Sequence, residues 1–213
     1  MNTLAKQEHE SIEVDGRKVV VEYSRCGHKL GVVLSHGIYN DMHTSVVEKL
    51  FNRLSVDNDV LRFNFSFAGN TENRDVERSV KELDATIDFL GCEETVLIGK
   101  SFGGYISSLV AAQQKHGIPK VIALGYYLHE EGKPLKVFDL DDIKSMKPSF
   151  VIIKGSNDPY CDTDVLKNRL PNCKLYTIDN AEHSFKPISG SGSREVNEER
   201  VISIVMNELY GLS

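Results

Sequence analysis

Apolar residues along this chain form patterns typical of strands at some places and of helices at others. Near the start, residues 8–14 and 17–23 are strand-like runs joined by Asp15-Gly16, a two-residue signal for an antiparallel hairpin. Later runs are almost continuously apolar, which is typical of parallel strands covered on both faces. These runs span residues 30–35, 95–98, 120–125 and 150–154, and a further strand is predicted over 174–178.

Helical spacing separates these strands. Between residues 76 and 90 the apolar positions recur in steps of four and three, which predicts one buried helical face that ends at Gly91 as a C-cap. A second helix is predicted after Ser101, ending at residues 115–117, and a last one from about residue 195 to residue 210. Strands alternating with helices predict a mostly parallel α/β sheet with an N-terminal antiparallel hairpin.

The whole chain, residues 1–213, is predicted to form one domain with helices on both faces of the sheet. Two segments, 126–148 and 188–194, have irregular patterns, and both are too short to form a separate cap domain. The first of them could act as a lid over the sheet edge. The content of 40% hydrophobic and 26% charged residues is ordinary for a soluble protein.

Charge and cysteine usage exclude several classes of function. A net charge of -6 without a basic cluster argues against a nucleic-acid partner. The first ten residues lack the apolar core of a signal peptide, and no stretch approaches the roughly 20 apolar residues of a membrane span, so a cytoplasmic protein without a membrane partner is expected. The four cysteines lack C-x-x-C spacing, which predicts free thiols. The oligomeric state stays open.

The strongest chemical signal is the sequence G-x-S-x-G from Gly99 to Gly103, placed between an apolar run and a helical pattern. A serine on such a tight strand-to-helix turn exposes its hydroxyl above the sheet edge, as a nucleophile requires. A phosphate-binding P-loop would need a glycine five positions before Gly99, where this chain has Glu94. Taken alone, the motif also fits an ordinary turn with a structural serine.

Two later residues can complete a nucleophilic site with Ser101. Serine needs a base to accept its proton, usually a histidine oriented by a carboxylate. Asp158 follows the strand at 150–154, and His183 follows the strand at 174–178, which is the chain order of an α/β-hydrolase sheet. Asp158 is preferred to its competitors by its place at the strand end. The competing acids are Asp139, Asp141, Asp142 and Asp162.

A further candidate feature is the segment Ser35-His36-Gly37, which follows the strand at 30–35. This is where such folds place one amide of the oxyanion hole, so the backbone N–H groups of Ile38 and Phe102 are the predicted donors. Gly37 has no side chain to widen this loop, and His36 is expected to support the loop.

The chain resembles the α/β-hydrolase superfamily along nearly its whole length. The resemblance rests on four motifs: residues 35–37, 99–104, 155–159 and 182–185. More narrowly, residues 99–104, 125–129 and 132–134 resemble the small capless branch near dienelactone hydrolases, which includes a domain of a chromatin acetyltransferase-complex subunit. Dienelactone hydrolases use a cysteine nucleophile where this chain has Ser101, so their substrate does not carry over.

Together these residues predict a serine hydrolase that cleaves ester or thioester bonds of a small-molecule substrate with a small to medium acyl group. The alternative is a hydrolase-like binding or scaffold module without turnover. Tyr39, Tyr126 and His129 are expected at the substrate pocket, although the two tyrosines could instead be packing residues and His129 could hydrogen-bond backbone. No cluster has metal-ligand spacing and no G-x-G-x-x-G sequence is present, so no metal or cofactor is implied.

Overall fold

A computed structural model describes residues 7–28, 30–128, 140–190 and 192–211. Within these ranges the chain contains eight strands. They are β1 Glu8–Val14, β2 Arg17–Ser24, β3 Leu30–Ser35, β4 Asp59–Phe63, β5 Glu94–Lys100, β6 Lys120–Leu124, β7 Ser149–Gly155 and β8 Lys174–Ile178. All of them belong to one sheet in the order β1-β2-β4-β3-β5-β6-β7-β8.

The strands are antiparallel at one end of the sheet and parallel over the rest. β1 pairs antiparallel with β2, and β2 pairs antiparallel with β4. Asp15 and Gly16 join β1 to β2 with φ values of 48° and 75°, as a two-residue hairpin turn with two left-handed positions requires. From β4 to β8 all neighbours pair in parallel. The predicted fold class is therefore confirmed.

Six α-helices and one short 3-10 turn, Thr71–Asn73, accompany the described strands. The helices are α1 Ser45–Leu54, α2 Val76–Leu90, α3 Phe102–Ala112, α4 Asp141–Lys144, α5 Thr163–Arg169 and α6 Arg194–Tyr210. The predicted limits of α2 are confirmed, since the Asp75 side chain accepts from the Arg78 N–H and Gly91 ends the helix at φ 71°. None of the described helices is both long and apolar enough to cross a membrane.

Helices cover both faces of the sheet. Alternate residues of each central strand point to opposite faces, so each strand contributes side chains to two cores. On one face Val33 and Leu97 belong to a core that also contains buried residues of α2 and α3. On the other face Val32 and Ile98 pack in a second core with residues of α1 and α6. Burial on both faces explains the nearly continuous apolar runs of the central strands.

Three features differ from the sequence prediction. Strand β4 and helices α1 and α5 were not predicted. Strand β4 lacks a clean apolar run because it contains Asp59 and Arg62, which are buried with polar partners. Helix α3 ends at Ala112, before the predicted limit, and Gln114 then adopts a left-handed φ of 54°. The segment 126–148 contains α4, while its residues 129–139 lie outside the described ranges.

Candidate active site

Ser101 lies at the turn between β5 and α3, at the edge where the parallel strands end. Its φ of 55° and ψ of -118° form a conformation that residues with a side chain disfavour, and such strain costs on the order of 1–3 kcal/mol. The Ser101 N–H donates to the Leu124 carbonyl at 2.9 Å, which ties the turn to β6. The turn therefore holds the serine hydroxyl in one place.

The two glycines of the motif are required by close packing. A Cβ on Gly99 would lie 2.3 Å from the backbone of Gly103, and a Cβ on Gly103 would lie 2.6 Å from the Ser35 Oγ. Both distances are shorter than van der Waals contact allows. The glycines let β5, α3 and the end of β3 approach each other around Ser101.

His183 and Asp158 meet Ser101 at this edge. The His183 Nε2 lies 2.8 Å from the Ser101 Oγ, and its Nδ1 lies 2.9 Å from each Asp158 carboxylate oxygen. Because an ionised carboxylate only accepts hydrogen bonds, Nδ1 carries the proton and Nε2 accepts from the serine hydroxyl. Asp158 follows β7 and His183 follows β8, so loops after three strands bring the three predicted residues together.

The Asp158 side chain is fully buried. One of its oxygens also accepts the Tyr160 N–H at 3.0 Å. The Tyr160 ring lies edge-on to the His183 imidazole, with 4.6 Å between ring centroids. These contacts fix both the carboxylate and the imidazole on the side away from Ser101.

The imidazole of His183 is held in its neutral form. Burial lowers the pKa of His183 below its ordinary value, the positive charge of Lys100 lowers it further, and the hydrogen bond to Asp158 acts in the opposite direction. A neutral imidazole with its lone pair toward the serine hydroxyl is the state in which a general base accepts a proton.

Two backbone N–H groups border the space in front of Ser101. The amides of Ile38 and Phe102 donate to no acceptor within the described part of the chain. A Cβ on Gly37 would lie 3.1 Å from the Ser101 Cβ, which means that the loop after β3 approaches the serine closely because residue 37 is a glycine. Ile38 and Ser101 line the same cleft.

His36 connects this loop to the end of β4. The imidazole is fully buried; its Nδ1 lies 2.6 Å from the Gly37 carbonyl oxygen, and its Nε2 accepts the Phe65 N–H at 3.0 Å. Burial lowers the pKa of His36 to about 4. The ring is therefore neutral and joins two backbone segments, a supporting role that agrees with the expectation for this residue.

The low pKa of His36 predicts a specific loss of stability in acid. Above the ordinary pKa of 6.5 both folded and unfolded chains keep the ring neutral, whereas between pH 6.5 and about 4 only the unfolded chain binds the proton. The free energy of unfolding should fall by about 2 to 3 kcal/mol over this interval. Urea unfolding of wild type and His36→Gln at pH 7 and pH 4.5 measures it: the variant should lack this part of the loss. An equal loss in both proteins would contradict the assignment.

The cleft that contains Ser101 and His183 has a volume of about 670 Å³. Tyr39 is at its rim and is 83% exposed, so its ring is available to a bound molecule. The sequence did not single out several other residues that line it. They are Asn40, Thr44, Arg74, Lys100, Tyr160, Ser184, Lys186 and Arg194.

The structure corrects one predicted pocket residue and leaves another outside its described ranges. Tyr126 does not line the cleft but is fully buried, with its hydroxyl 2.9 Å from the Ser108 Oγ and its ring against Phe150. Tyr126 follows Gly125, which has a left-handed φ of 61°, and its side chain belongs to the hydrophobic core. His129 lies outside the described residues.

Three of the competing acids lie in helix α4 or at the start of helix α5. Asp162 caps α5 by accepting from the N–H groups of Asp164 and Val165, and Asp141 pairs with Lys144 in α4. Asp142 is an exposed residue of α4, and Asp139 lies outside the described residues. Among the described candidates only Asp158 reaches His183.

The parallel sheet, the tight turn around Ser101 and the order serine, aspartate, histidine are the features of a hydrolase-type α/β fold. The chain matches a family model described as "Alpha/beta hydrolase domain" over residues 28–209 and belongs to that family. No curated protein matches it.

Solved structures with the same fold are similar over nearly the full chain. An alpha-beta serine hydrolase homologue from Coxiella burnetii has a TM-score of 0.73 at 19% identity, with 95% of this chain and 97% of that chain covered. A predicted CIB-like hydrolase from Thermoplasma acidophilum has a TM-score of 0.76 at 16% identity, with coverages of 98% and 100%. The carboxylesterase CesB from Bacillus subtilis has a TM-score of 0.71 at 13% identity, with coverages of 97% and 92%.

Proposed function

We propose that this protein is a serine hydrolase that cleaves carboxylic ester or thioester bonds of small to medium acyl substrates through an acyl-enzyme. The observation that carries the proposal is the continuous hydrogen-bonded path from the Ser101 Oγ through His183 to the buried Asp158 carboxylate. Ser101 is the nucleophile, His183 the general base and acid, and Asp158 the group that orients the imidazole.

In the first half of the reaction the Ser101 Oγ attacks the substrate carbonyl carbon while its proton moves to the His183 Nε2. The carbonyl oxygen becomes an oxyanion, and the N–H groups of Ile38 and Phe102 stabilise it. The imidazolium is stabilised by Asp158 and gives its proton to the leaving alcohol or thiol as the carbon–oxygen or carbon–sulfur bond breaks. The acyl group is then bonded to Ser101.

In the second half a water molecule takes the place of the leaving group. His183 accepts a proton from the water, whose oxygen attacks the acyl carbon, and the bond to the Ser101 Oγ breaks as His183 returns the proton. The products are the free acid and the regenerated serine. Each proton transfer uses the Nε2 atom, so the tautomer set by Asp158 serves both halves.

The fold relatives support an ester or thioester as the bond that is cleaved. Proteins with similar structures include a carboxylesterase and a thioesterase domain from the curacin biosynthetic pathway. The cleft of this chain is lined largely by polar and charged side chains, with exposed Tyr39 at the rim. Such a lining favours short or polar acyl groups over long alkyl chains.

A panel of soluble 4-nitrophenyl esters with acyl chains of two to twelve carbons tests the proposed activity. We expect turnover of the short esters and a falling kcat/KM as the chain lengthens, because a long alkyl chain would desolvate the polar lining groups without giving them hydrogen-bond partners. Absence of turnover with every ester and thioester tested would favour the alternative, a binding module that keeps the fold without catalysis.

A further inference from the structure

Lys100, the last residue of β5 and the neighbour of Ser101, is a buried cation beside the candidate active site. The residue is 5% exposed, and its Nζ donates to the backbone carbonyl oxygen of His183 at 2.9 Å. The same ammonium group lies 5.5 Å from the centroid of the Phe185 ring. A lysine is almost never this deeply buried unless its ammonium group is paired, because burial removes the hydration of the charge.

Three polar groups of the site meet on one side of Gly125. A Cβ at this position would lie 3.0 Å from the Lys100 Nζ, 3.1 Å from the Asp158 Oδ2 and 3.2 Å from the His183 Nδ1. The ammonium group is therefore close to the carboxylate and the imidazole, behind the face of the ring that meets Ser101. Gly125, at a left-handed φ of 61°, leaves the space that this arrangement needs.

The loop that carries His183 depends on a few fixed points. Phe185 has a left-handed φ of 63°, its N–H donates to the Glu182 carbonyl at 2.9 Å, and its own carbonyl accepts from the Asn197 Nδ2 at 3.0 Å. These contacts hold residues on either side of His183. Lys100 supplies the contact to the carbonyl of His183 itself, from the strand that also carries Ser101.

We propose that Lys100 is a positioning residue, which fixes the His183 loop to the strand of the nucleophile and places a positive charge beside the imidazole. The proposal rests on the proposed function only for its effect on turnover. The same hydrogen bond sets the distance between His183 and Ser101, because Lys100 and Ser101 are consecutive residues on one rigid turn. Lys100 does not contact the reacting atoms.

The positive charge of Lys100 opposes the protonation of His183. Burial lowers the pKa of Lys100 to about 8, so the group is still a cation at the acid pH where a histidine titrates. This cation opposes a second positive charge on His183 and lowers its pKa, against the influence of Asp158. The other charged or titratable groups that act on this pair come from the loops after β7 and β8 and from α6; they are Cys161, Glu182 and Arg194.

Three substitutions separate the hydrogen bond from the charge. Lys100→Met removes both, Lys100→Gln keeps a donor without the charge, and Lys100→Arg keeps a donor and a cation. Lys154→Met is the matched control, since Lys154 is a 4% exposed lysine of β7 whose Nζ binds the Thr163 Oγ1 at 3.1 Å.

The first readout is the His183 titration followed by NMR, with its signal assigned by its absence in His183→Ala. We expect the midpoint to rise by about one pH unit in Lys100→Met and Lys100→Gln, because the opposing cation is gone. It should stay at the wild-type value in Lys100→Arg and Lys154→Met. A wild-type midpoint in the two neutral variants, or an equal rise in Lys154→Met, would overturn the proposal. If neither neutral variant folds, a wild-type His183 midpoint at or above the ordinary histidine value would overturn it.

The second readout is ester turnover. We expect kcat to fall roughly 10- to 100-fold in Lys100→Met, since a small displacement of a general base has effects of this size, with KM nearly unchanged and a smaller loss in Lys100→Gln. The acid limb of kcat/KM should move to higher pH together with the NMR midpoint. An NMR shift in a protein without any esterase activity would reject the proposed function and support the positioning role. Unchanged NMR midpoints in the neutral Lys100 variants, together with normal wild-type turnover, would reject the positioning role and support the proposed function.

Discussion

Ser101→Ala is expected to lower ester turnover by at least about 10³-fold. The substitution removes the only atom that can attack the substrate from this turn, while the backbone donors of Ile38 and Phe102 and the cleft stay in place. The fold should be preserved, with a change in unfolding free energy within about 1 kcal/mol, because the side chain loses one hydroxyl and the backbone conformation is kept. Steady-state kinetics on a short soluble ester, together with thermal unfolding, measures both effects.

Ser156→Ala is the matched control for this substitution. Ser156 is an exposed serine in the loop after β7, and its Oγ contacts the Asn157 Oδ1 at 3.0 Å. Its removal should leave kcat and KM at wild-type values. Turnover by Ser101→Ala near the wild-type rate would show that another residue is the nucleophile.

Asp158→Asn is expected to lower kcat by about 10³- to 10⁴-fold with a much smaller effect on KM. A carboxamide cannot stabilise the imidazolium, and its N–H₂ group favours the tautomer that carries the proton on Nε2, where Ser101 needs an acceptor. The side chain keeps its size and its oxygen can still accept the Tyr160 N–H, so substrate binding should persist. Kinetic constants over a range of ester concentrations separate the two parameters.

Asp162→Asn serves as the control because asparagine also caps helices. Asp162 accepts from the first N–H groups of α5 and makes no described contact with His183. The variant should keep full activity and near wild-type stability. If Asp158→Asn stayed active and Asp162→Asn lost activity, the acid of the site would have been misassigned.

The general architecture could be predicted from the sequence because its signals are local. The Asp15-Gly16 turn requires two left-handed residues, and the motif around Ser101 requires glycines wherever a Cβ would collide with a neighbouring segment. Chain order then assigned Asp158 and His183 to the same sheet edge, since parallel strands end on one side. The geometry of these residues agrees with that assignment.

What the sequence did not reveal depends on contacts between distant segments. Strand β4 contains Arg62, which is buried and forms an ion pair with Glu22 of β2 at 2.5 Å. This polar residue hides the strand in the sequence, because a strand inside the sheet is expected to be apolar. The buried position of Tyr126 depends on its contacts with Ser108 of α3 and Phe150 of β7. Lys100 is the second residue of the G-x-S-x-G motif, and its one distinguishing feature in the sequence is that a lysine ends a strand buried on both faces.

Labelling with a fluorophosphonate, which reacts only with an activated serine, tests whether His183 activates Ser101. Intact mass and peptide mapping identify the labelled residue in wild type, and the labelling rate is compared with that of His183→Ala. We expect one adduct, on Ser101, and a labelling rate reduced by at least about 10²-fold in the variant. An adduct on another residue, or equal labelling rates in the two proteins, would show that His183 does not activate Ser101.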